Sequence, residues 1–447
     1  MTFAAMRRAV TESVSGLPRA FWWLWISTLV NRLGAFVATF MALYLTLERG
    51  YSASYAGLVA ALHGLGGVAS SLGAGVMADR LGRRPTLLIA QASTALSVAV
   101  LGFMEHPVAI AGVAFLVGMA SNASRPAVQA MMADIVRPED RVRAFSLNYW
   151  AINLGFAVSS AGAGFIASYS YRAGFLIEAA MTMVCAIVVF IKLPESRPVR
   201  TAQEKAAEPV VGLGTVLRDG RFMGVVGLSF VVALIFQQGS VGLPVAMGEA
   251  GFTPADYGLA IAVNGVLIVA LQIPVTRFIE HRDPRRLLVI SSLVAGYGFG
   301  LTAFAGSVGI FALTVCVWTL AEIVNAPTQT GLVVALSPTH GRGRYQGMYT
   351  MSWSVAALVA PLMSGFMIDR FGAEWLWAAC AVLGTGAALG YWGLMRGLPK
   401  GALAEGGAEA PDQGGAEAFA RGGSGGEGIS AAGSVAPRTD SAAAPRP

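Results

Sequence analysis

An all-α membrane protein, with twelve transmembrane helices in two pseudo-symmetric six-helix halves, is the fold that three observations in this sequence predict. The 447 residues are 55% hydrophobic and only 13% charged, which is too apolar for an ordinary soluble domain. Long apolar segments recur along most of the chain, with short charged stretches between them. The two halves of the chain also repeat several features at a constant offset.

The apolar segments are long enough to cross a bilayer, which takes about 20 mostly apolar residues in a helix. Twelve segments meet this requirement: 20–47, 55–78, 86–104, 107–131, 143–168, 173–192, 222–246, 255–279, 287–304, 308–334, 345–369 and 373–395.

The charged residues between these segments favour one side of the membrane. One side receives most of the lysines and arginines, and the other receives little beyond Arg49, Arg172 and Arg370. Because cytoplasmic loops carry the excess of positive charge, we expect both termini in the cytoplasm and the protein in the cell (inner or plasma) membrane. The net charge of +6 follows from these loops, so it requires no nucleic-acid partner.

An offset of 201 residues relates the two halves of the chain. It pairs the following residues: Gly57 with Gly258, Pro126 with Pro327, Arg141 with Arg342, Arg143 with Arg344, and Gly164 with Gly365. Such a repeat is typical of a transporter that binds its substrate between two halves. We predict a six-helix half over 1–192, a cytoplasmic linker over 193–221, a second six-helix half over 222–395 and a disordered cytoplasmic tail over 396–447.

The stretch 75–85, Gly-Val-Met-Ala-Asp-Arg-Leu-Gly-Arg-Arg-Pro, places a cluster of charge between the second and third segments. Gly75 allows a neighbouring helix to approach, Gly82 allows a tight turn, and Arg80 and Arg83 favour the cytoplasmic side. Asp79 is a carboxylate at the membrane boundary, where it needs a partner. The spacing Gly-x-x-x-Asp-Arg-x-Gly-Arg-Arg resembles the signature loop of the major facilitator superfamily of secondary transporters.

The resemblance implies a conformational latch at this loop. In the superfamily an acid at the end of the fourth helix meets the signature-loop arginine, and Asp134 occupies that place here. Asp79, Arg83 and Asp134 are therefore expected to hold the outward-facing state at the cytoplasmic end. The alternative for Asp134 is a solvated helix end.

Two arginines lie inside the predicted spans and are candidates for proton coupling. A charged side chain at mid-membrane costs about 2.5–3.5 kcal/mol on insertion scales, so each needs a function or a partner. Arg125 resembles in position the superfamily's fourth-helix arginine, which is implicated in proton coupling. Arg32 either faces the central cavity, where it would bind substrate or pair with an acid, or extends to the nearby cytoplasmic interface.

Two glutamates differ in their predicted surroundings. Glu322 lies in the middle of the tenth segment, where burial favours a protonated carboxyl group, so it would bind and release a proton as water access alternates. The alternatives are a permanent ion pair with an arginine or a hydrogen bond to Asn325. Glu178 lies near the outer end of the sixth segment, where we expect it to be solvated.

Residues 153–164 resemble the antiporter motif of the superfamily's fifth helix, with Ser159-Ser160 in place of Gly-Pro. The resemblance, over about residues 20–395, implies an alternating-access carrier of the drug:proton antiporter, or multidrug efflux, branch. Such a carrier exports drug-like compounds or metabolites. The proton gradient drives this transport, and no cofactor is needed. A proton-coupled importer and a non-transporting membrane sensor remain alternatives. The sequence contains no nucleotide-binding loop or nucleophile elbow, so we do not expect an enzyme.

Other polar residues within the spans are candidates for lining the substrate cavity. They are Asn31, His63, Gln237, Gln238 and Asn325. For His63, Gln237 and Gln238 the alternative is a hydrogen bond between helices. The three cysteines lie in apolar runs and predict neither a disulfide nor a metal site. The expected partners are a small-molecule substrate, protons and the lipid bilayer, and we expect a monomer.

Overall fold

The computed structural model of the chain describes residues 16–137, 140–195, 213–279, 282–338 and 342–397, except for the side chains of 71–76, 78, 79, 142, 213, 342, 343 and 397. In these ranges the regular structure is helical. Twelve long helical regions, numbered in chain order, have the following bounds: α1 Arg19–Glu48, α2 Ala53–Leu81, α3 Arg83–Leu101, α4 Pro107–Ile135, α5 Arg141–Tyr169, α6 Tyr171–Lys192, α7 Gly220–Glu249, α8 Pro254–Ile279, α9 Pro284–Phe304, α10 Val308–Leu336, α11 Arg342–Phe371 and α12 Ala373–Leu394.

Each of the twelve regions overlaps one predicted segment. Among the described residues, 11 helices are long and apolar enough to cross a membrane. The other region, α2, has 29 residues and spans about 43 Å, which also exceeds the hydrocarbon thickness. The all-α membrane fold is therefore confirmed. The predicted linker contains a short helix, Leu213–Arg218, and the rest of it at 196–212, like the predicted tail from 398 onward, lies outside the described residues.

The first helix of each half is interrupted. In α1 the segment Arg19–Leu33 ends before a second segment, Val37–Leu43, which continues into one turn of π-helix. In α7 a short 3₁₀ turn, Gln237–Gly239, precedes a second segment, Gly242–Glu249. Each interruption leaves backbone N–H groups that need acceptors within the bundle.

The buried apolar side chains show where the two halves meet. We call the end at which α1 begins and α12 ends the terminal end, and the other the opposite end. At the opposite end a single core contains residues of both halves, such as Phe40 of α1 and Leu243 of α7. At the terminal end each half has its own core, with Phe21 in one and Phe222 in the other. The halves are therefore packed together at the opposite end and separately at the terminal end.

Four glycines allow the two halves to touch at the opposite end. A Cβ atom at Gly57 or Gly365 would overlap backbone atoms across the α2–α11 contact. A Cβ atom at Gly164 or Gly258 would do the same across the α5–α8 contact. The offset of 201 residues relates each glycine to one in the other contact. The repeat therefore supplies two equivalent close contacts between the halves.

Candidate functional site

Glu322 lies in the middle of α10, between helices of both halves. Its Oε2 accepts a hydrogen bond of 2.9 Å from Asn264 Nδ2 in α8, and the same Nδ2 lies 3.0 Å from Thr319 Oγ1. Tyr149 of α5 lies within electrostatic range of the carboxylate and is 49% exposed. Among the described residues, no Lys, Arg or His nitrogen lies within 4.0 Å of Glu322. The partner of this carboxyl group is thus a neutral amide.

Two arginines of the first half lie close enough to interact. Arg32 of α1 is within electrostatic range of Arg125 in α4 and of Glu178 in α6, and Arg125 is within range of His63 in α2. Arg125 is exposed although it lies well inside α4, and its neighbours Arg32 and His63 on other helices place it towards the interior of the bundle. Within the described ranges, neither guanidinium forms an ion pair within 4.0 Å. Arg125 and Glu322 belong to different halves.

Glu178 supports the interruption in α1, so the expectation that it is solvated is wrong. Its Oε2 accepts hydrogen bonds from the backbone N–H groups of Phe36, at 2.9 Å, and Val37, at 2.7 Å. The carboxylate therefore caps the second segment of α1, whose N-terminal N–H groups and dipole favour a negative charge. No sequence spacing links α6 to α1, because the contact joins residues 142 positions apart.

The other candidate cavity residues divide into two groups. Asn31 is half-buried and donates to Thr182 Oγ1 at 3.4 Å, and Gln237 is half-buried at the interruption in α7. Gln238 is fully buried, where it donates to the Leu234 carbonyl and accepts a hydrogen bond from Ser364 Oγ of α11. Asn325 is 1% exposed and donates to Ser291 Oγ of α9 at 2.8 Å, rather than to Glu322. Asn31, Gln238 and Asn325 therefore each connect two helices, and for Gln238 this is the alternative stated above.

The signature loop forms a sharp corner between α2 and α3. Gly82 has a φ of 108°, a conformation that L-residues with a side chain rarely adopt. Arg83 Nε lies 3.4 Å from Asp134 Oδ2 at the end of α4, so these two residues of the expected latch meet within the first half. Arg80 is exposed, and the side chain of Asp79 lies outside the described residues.

Glu195, which the sequence reasoning missed, also holds this corner. Its Oε1 accepts a hydrogen bond of 2.8 Å from the backbone N–H of Arg83, the first residue of α3. A Cβ atom at Gly82 would lie 2.7 Å from the same carboxylate. Glycine at this position is therefore required twice, by the backbone conformation and by the approach of Glu195. The sequence offers one signal for this contact. Glu195 follows the end of α6, and α2 and α6 end at the same end of the bundle.

A family model described as the Major Facilitator Superfamily matches residues 24–253 and 239–431. The chain belongs to the major facilitator superfamily. The matched ranges include Glu322, Arg32, Arg125 and the signature loop. The family and the similar proteins below are transporters and not enzymes, as the sequence predicts.

Proteins similar to this chain include an uncharacterized transporter, a multidrug resistance protein and a cation/H⁺ antiporter. An uncharacterized MFS-type transporter, YttB of Bacillus subtilis, is 28% identical over 82% of this chain and 93% of its own length. The multidrug resistance protein MdtH of Cronobacter sakazakii is 24% identical over 83% of this chain and 93% of its own. A Na⁺, Li⁺, K⁺/H⁺ antiporter of Planococcus maritimus is 24% identical over 79% of this chain and 89% of its own.

Solved transporter structures share the fold. A point mutant of the nucleoside transporter NupG superposes with a TM-score of 0.73 at 14% identity, over 85% of this chain and all of that structure. A POT family transporter in complex with 5-aminolevulinic acid gives a TM-score of 0.69 at 15% identity, over 86% of this chain and 96% of that structure. At these identities the likeness establishes the architecture alone.

Proposed function

We propose that this chain is a proton-coupled secondary transporter that exports small molecules by alternating access. The observation that carries the proposal is Glu322, a carboxyl group in mid-membrane whose hydrogen-bond donor is the neutral Asn264. A carboxyl group without a fixed positive partner can gain and lose a proton as water reaches it from one side or the other. The similar proteins named as a multidrug resistance protein and a cation/H⁺ antiporter also support export by exchange.

Three charged groups of the interior have roles in this cycle. Glu322 takes up a proton when the opposite end is open and releases it when the terminal end is open. Arg125 and Arg32 couple the protonation of Glu322 to the binding of substrate. The two positive charges lie near each other, so the electric field in the interior changes when any ion enters. The proposal places the protein in the cell membrane as a monomer, with both termini in the cytoplasm and the terminal end facing inward.

Replacing Glu322 with glutamine should abolish compound-driven proton movement. Glutamine keeps the size of the side chain and a hydrogen bond from Asn264, but it does not titrate. The assay uses vesicles with the terminal end outward, a preformed inside-acid gradient and a panel of lipophilic cations and neutral drugs. Wild-type vesicles should lose the gradient when a transported compound is added, and Glu322→Gln vesicles should keep it.

The matched control is Glu374→Gln, which removes an exposed carboxylate at the start of α12. This variant should behave as the wild type does. Gradient loss in the Glu322→Gln vesicles would move the proton site to another group. If no compound collapses the gradient with folded wild-type protein, export of this class of compound is contradicted.

A second candidate function follows from the two arginines: transport of a solute that carries an acidic group. Arg32 and Arg125 lie near each other, and within the part of the chain that the structure describes neither has an ion-pair partner. Guanidinium groups bind carboxylates and phosphates through paired hydrogen bonds, which offset the cost of a charge in the membrane. The uptake of such a solute would use the same fold in the importing direction.

Thermal shifts in detergent distinguish the two candidates. If the solute is acidic, organic anions or zwitterions should raise the melting temperature of the wild type more than lipophilic cations do. The Arg125→Gln variant should lose that shift, whereas Arg172→Gln, which removes an arginine packed on Phe103 at the opposite end, should retain it. A panel in which only lipophilic cations stabilise the protein would exclude this second candidate.

A further inference from the structure

The signature spacing occurs a second time, at the end of α11. Residues 75–82 read Gly-Val-Met-Ala-Asp-Arg-Leu-Gly, and residues 365–372 read Gly-Phe-Met-Ile-Asp-Arg-Phe-Gly. The offset between these stretches is 290 residues and not the 201 that relates the two halves. The second copy therefore does not follow from the repeat. It lies at the opposite end of the bundle, whereas the first lies at the terminal end.

The two copies share one backbone geometry. Gly82 has φ 108° and ψ 164°, and Gly372 has φ 92° and ψ 161°. Each glycine ends one long helix, and the next residue begins another. The apolar residue before each glycine is exposed to a similar extent, 53% for Leu81 and 55% for Phe371. The sequence match therefore corresponds to a structural match.

The two helices that carry these copies, α2 and α11, pack against each other in opposite directions. Gly57 faces Pro361, Gly64 faces Ala357, and Ala53 faces Gly365, so residue numbers rise along α2 as they fall along α11. The signature of each helix thus lies level with the N-terminus of the other. The first N–H groups of a helix have no partner within that helix, so an aspartate on the facing helix can satisfy them.

At the opposite end this contact is formed. Asp369 Oδ1 accepts a hydrogen bond of 2.9 Å from the backbone N–H of Ala53, and Oδ2 accepts one of 2.6 Å from that of Ser54. The N–H of Tyr55 is satisfied separately by Ser52 Oγ, at 3.1 Å. One carboxylate of the second half therefore caps two N–H groups of the first, and the helix dipole favours its charge there.

The repeat-related contact between α5 and α8 has no such carboxylate. The residue 201 positions before Asp369 is Ser168, which donates to the Gly164 carbonyl within its own helix. The residue 201 positions after Ala53 is Pro254, which has no N–H group. Asp256 caps α8 locally instead, by accepting hydrogen bonds from Thr253. The α2–α11 contact at this end therefore has an ionic component that the α5–α8 contact lacks.

We propose that Asp369 is the latch that holds the opposite end closed, and that it is the counterpart of the signature-loop latch at the terminal end. With one copy at each end of an antiparallel helix pair, each state of the cycle keeps one carboxylate on the N-terminus of the facing helix and releases the other. The α2–α11 pair then has two arrangements. The latch at one end favours the first arrangement, and the latch at the other end favours the second. This inference rests on the alternating-access part of the proposed function.

The test measures the width of the opposite end and not transport. Spin labels at positions 169 and 304, whose side chains are 92% and 80% exposed, lie on different halves at that end. In a background without the three native cysteines, the distance distribution gives the ratio of open to closed protein. Asp369→Asn should raise that ratio roughly tenfold, the typical size of such a coupling. Asp79→Asn should lower it.

The double variant Asp79→Asn/Asp369→Asn should return the ratio towards that of the wild type. Asp256→Asn is the matched control, since it removes a capping carboxylate at the same end without a contact between the halves. If Asp369→Asn gives the same ratio as Asp256→Asn, or if Asp79→Asn shifts the ratio in the same direction, the latch pair is excluded. Loss of proton coupling in a vesicle assay would leave this distance test unaffected.

Discussion

A Gly118→Ala substitution should prevent stable folding of the first half. A Cβ atom at this position of α4 would overlap the carbonyl oxygen of His63 and would lie 2.7 Å from its carbonyl carbon. Both atoms belong to the backbone of α2, so no side-chain rotation relieves the overlap. Because α2 and α4 would have to separate along their contact, we expect a loss of about 3 kcal/mol or more. The apparent melting temperature in detergent and the yield of monodisperse protein measure this loss.

Gly112→Ala on the same helix is the control for this substitution. A Cβ atom at Gly112 would meet nothing within 4 Å. Alanine is favoured over glycine inside a helix by about 1 kcal/mol, so this variant should be at least as stable as the wild type. Equal melting temperatures for the two variants would contradict the backbone contact between α2 and α4.

Alanine at Gly57 should instead leave the protein folded and open its opposite end. The atoms that a Cβ atom would overlap belong to α11, in the other half, so the overlap exists only while that end is closed. Relief requires the movement that the proposed alternating access would provide. A penalty of about 2 kcal/mol on the closed state would change the ratio of open to closed protein about 30-fold, because each 1.4 kcal/mol is a factor of ten.

The labelled pair at positions 169 and 304 measures this change. Gly164→Ala should have a smaller effect in the same direction, since its Cβ atom would lie 2.7 Å from the Pro254 carbonyl oxygen and overlap less than at Gly57. Gly162→Ala, two residues earlier on α5, would meet nothing within 4 Å and should match the wild type. An unfolded Gly57→Ala protein, or an unchanged distance distribution, would show that the contact is not one that opens.

The predictions separate two uses of glycine in the same bundle. Gly118 lies between two helices of one half, so its small size stabilises the fold of that half. Gly57 and Gly164 lie between the halves, so their small size stabilises one state of the cycle. Sequence context does not distinguish these positions, because each is a glycine in an apolar helix with small neighbours. The partner helix decides the consequence of adding a methyl group.

The sequence by itself determined the features that depend on local pattern. Spans follow from apolar length, because backbone groups in lipid have to be satisfied within a helix. The turn at Gly82 follows from its spacing in the signature loop, and the charges of that loop carry the resemblance to the superfamily. Mid-span Glu322 and Arg125 also stand out, because charge within an apolar run is visible without any knowledge of neighbours.

Only the tertiary structure decided which of these groups meet. Glu178 supports the interrupted α1, Glu195 holds the signature corner, and Asp369 caps α2 from a helix more than 300 residues away along the chain. Each contact satisfies backbone N–H groups at the start of a helix or helix segment, and any carboxylate of suitable reach would serve. The chain contains 25 acidic residues, so sequence alone leaves the choice among them open. Helix packing makes that choice, because it fixes which carboxylate lies level with which helix start.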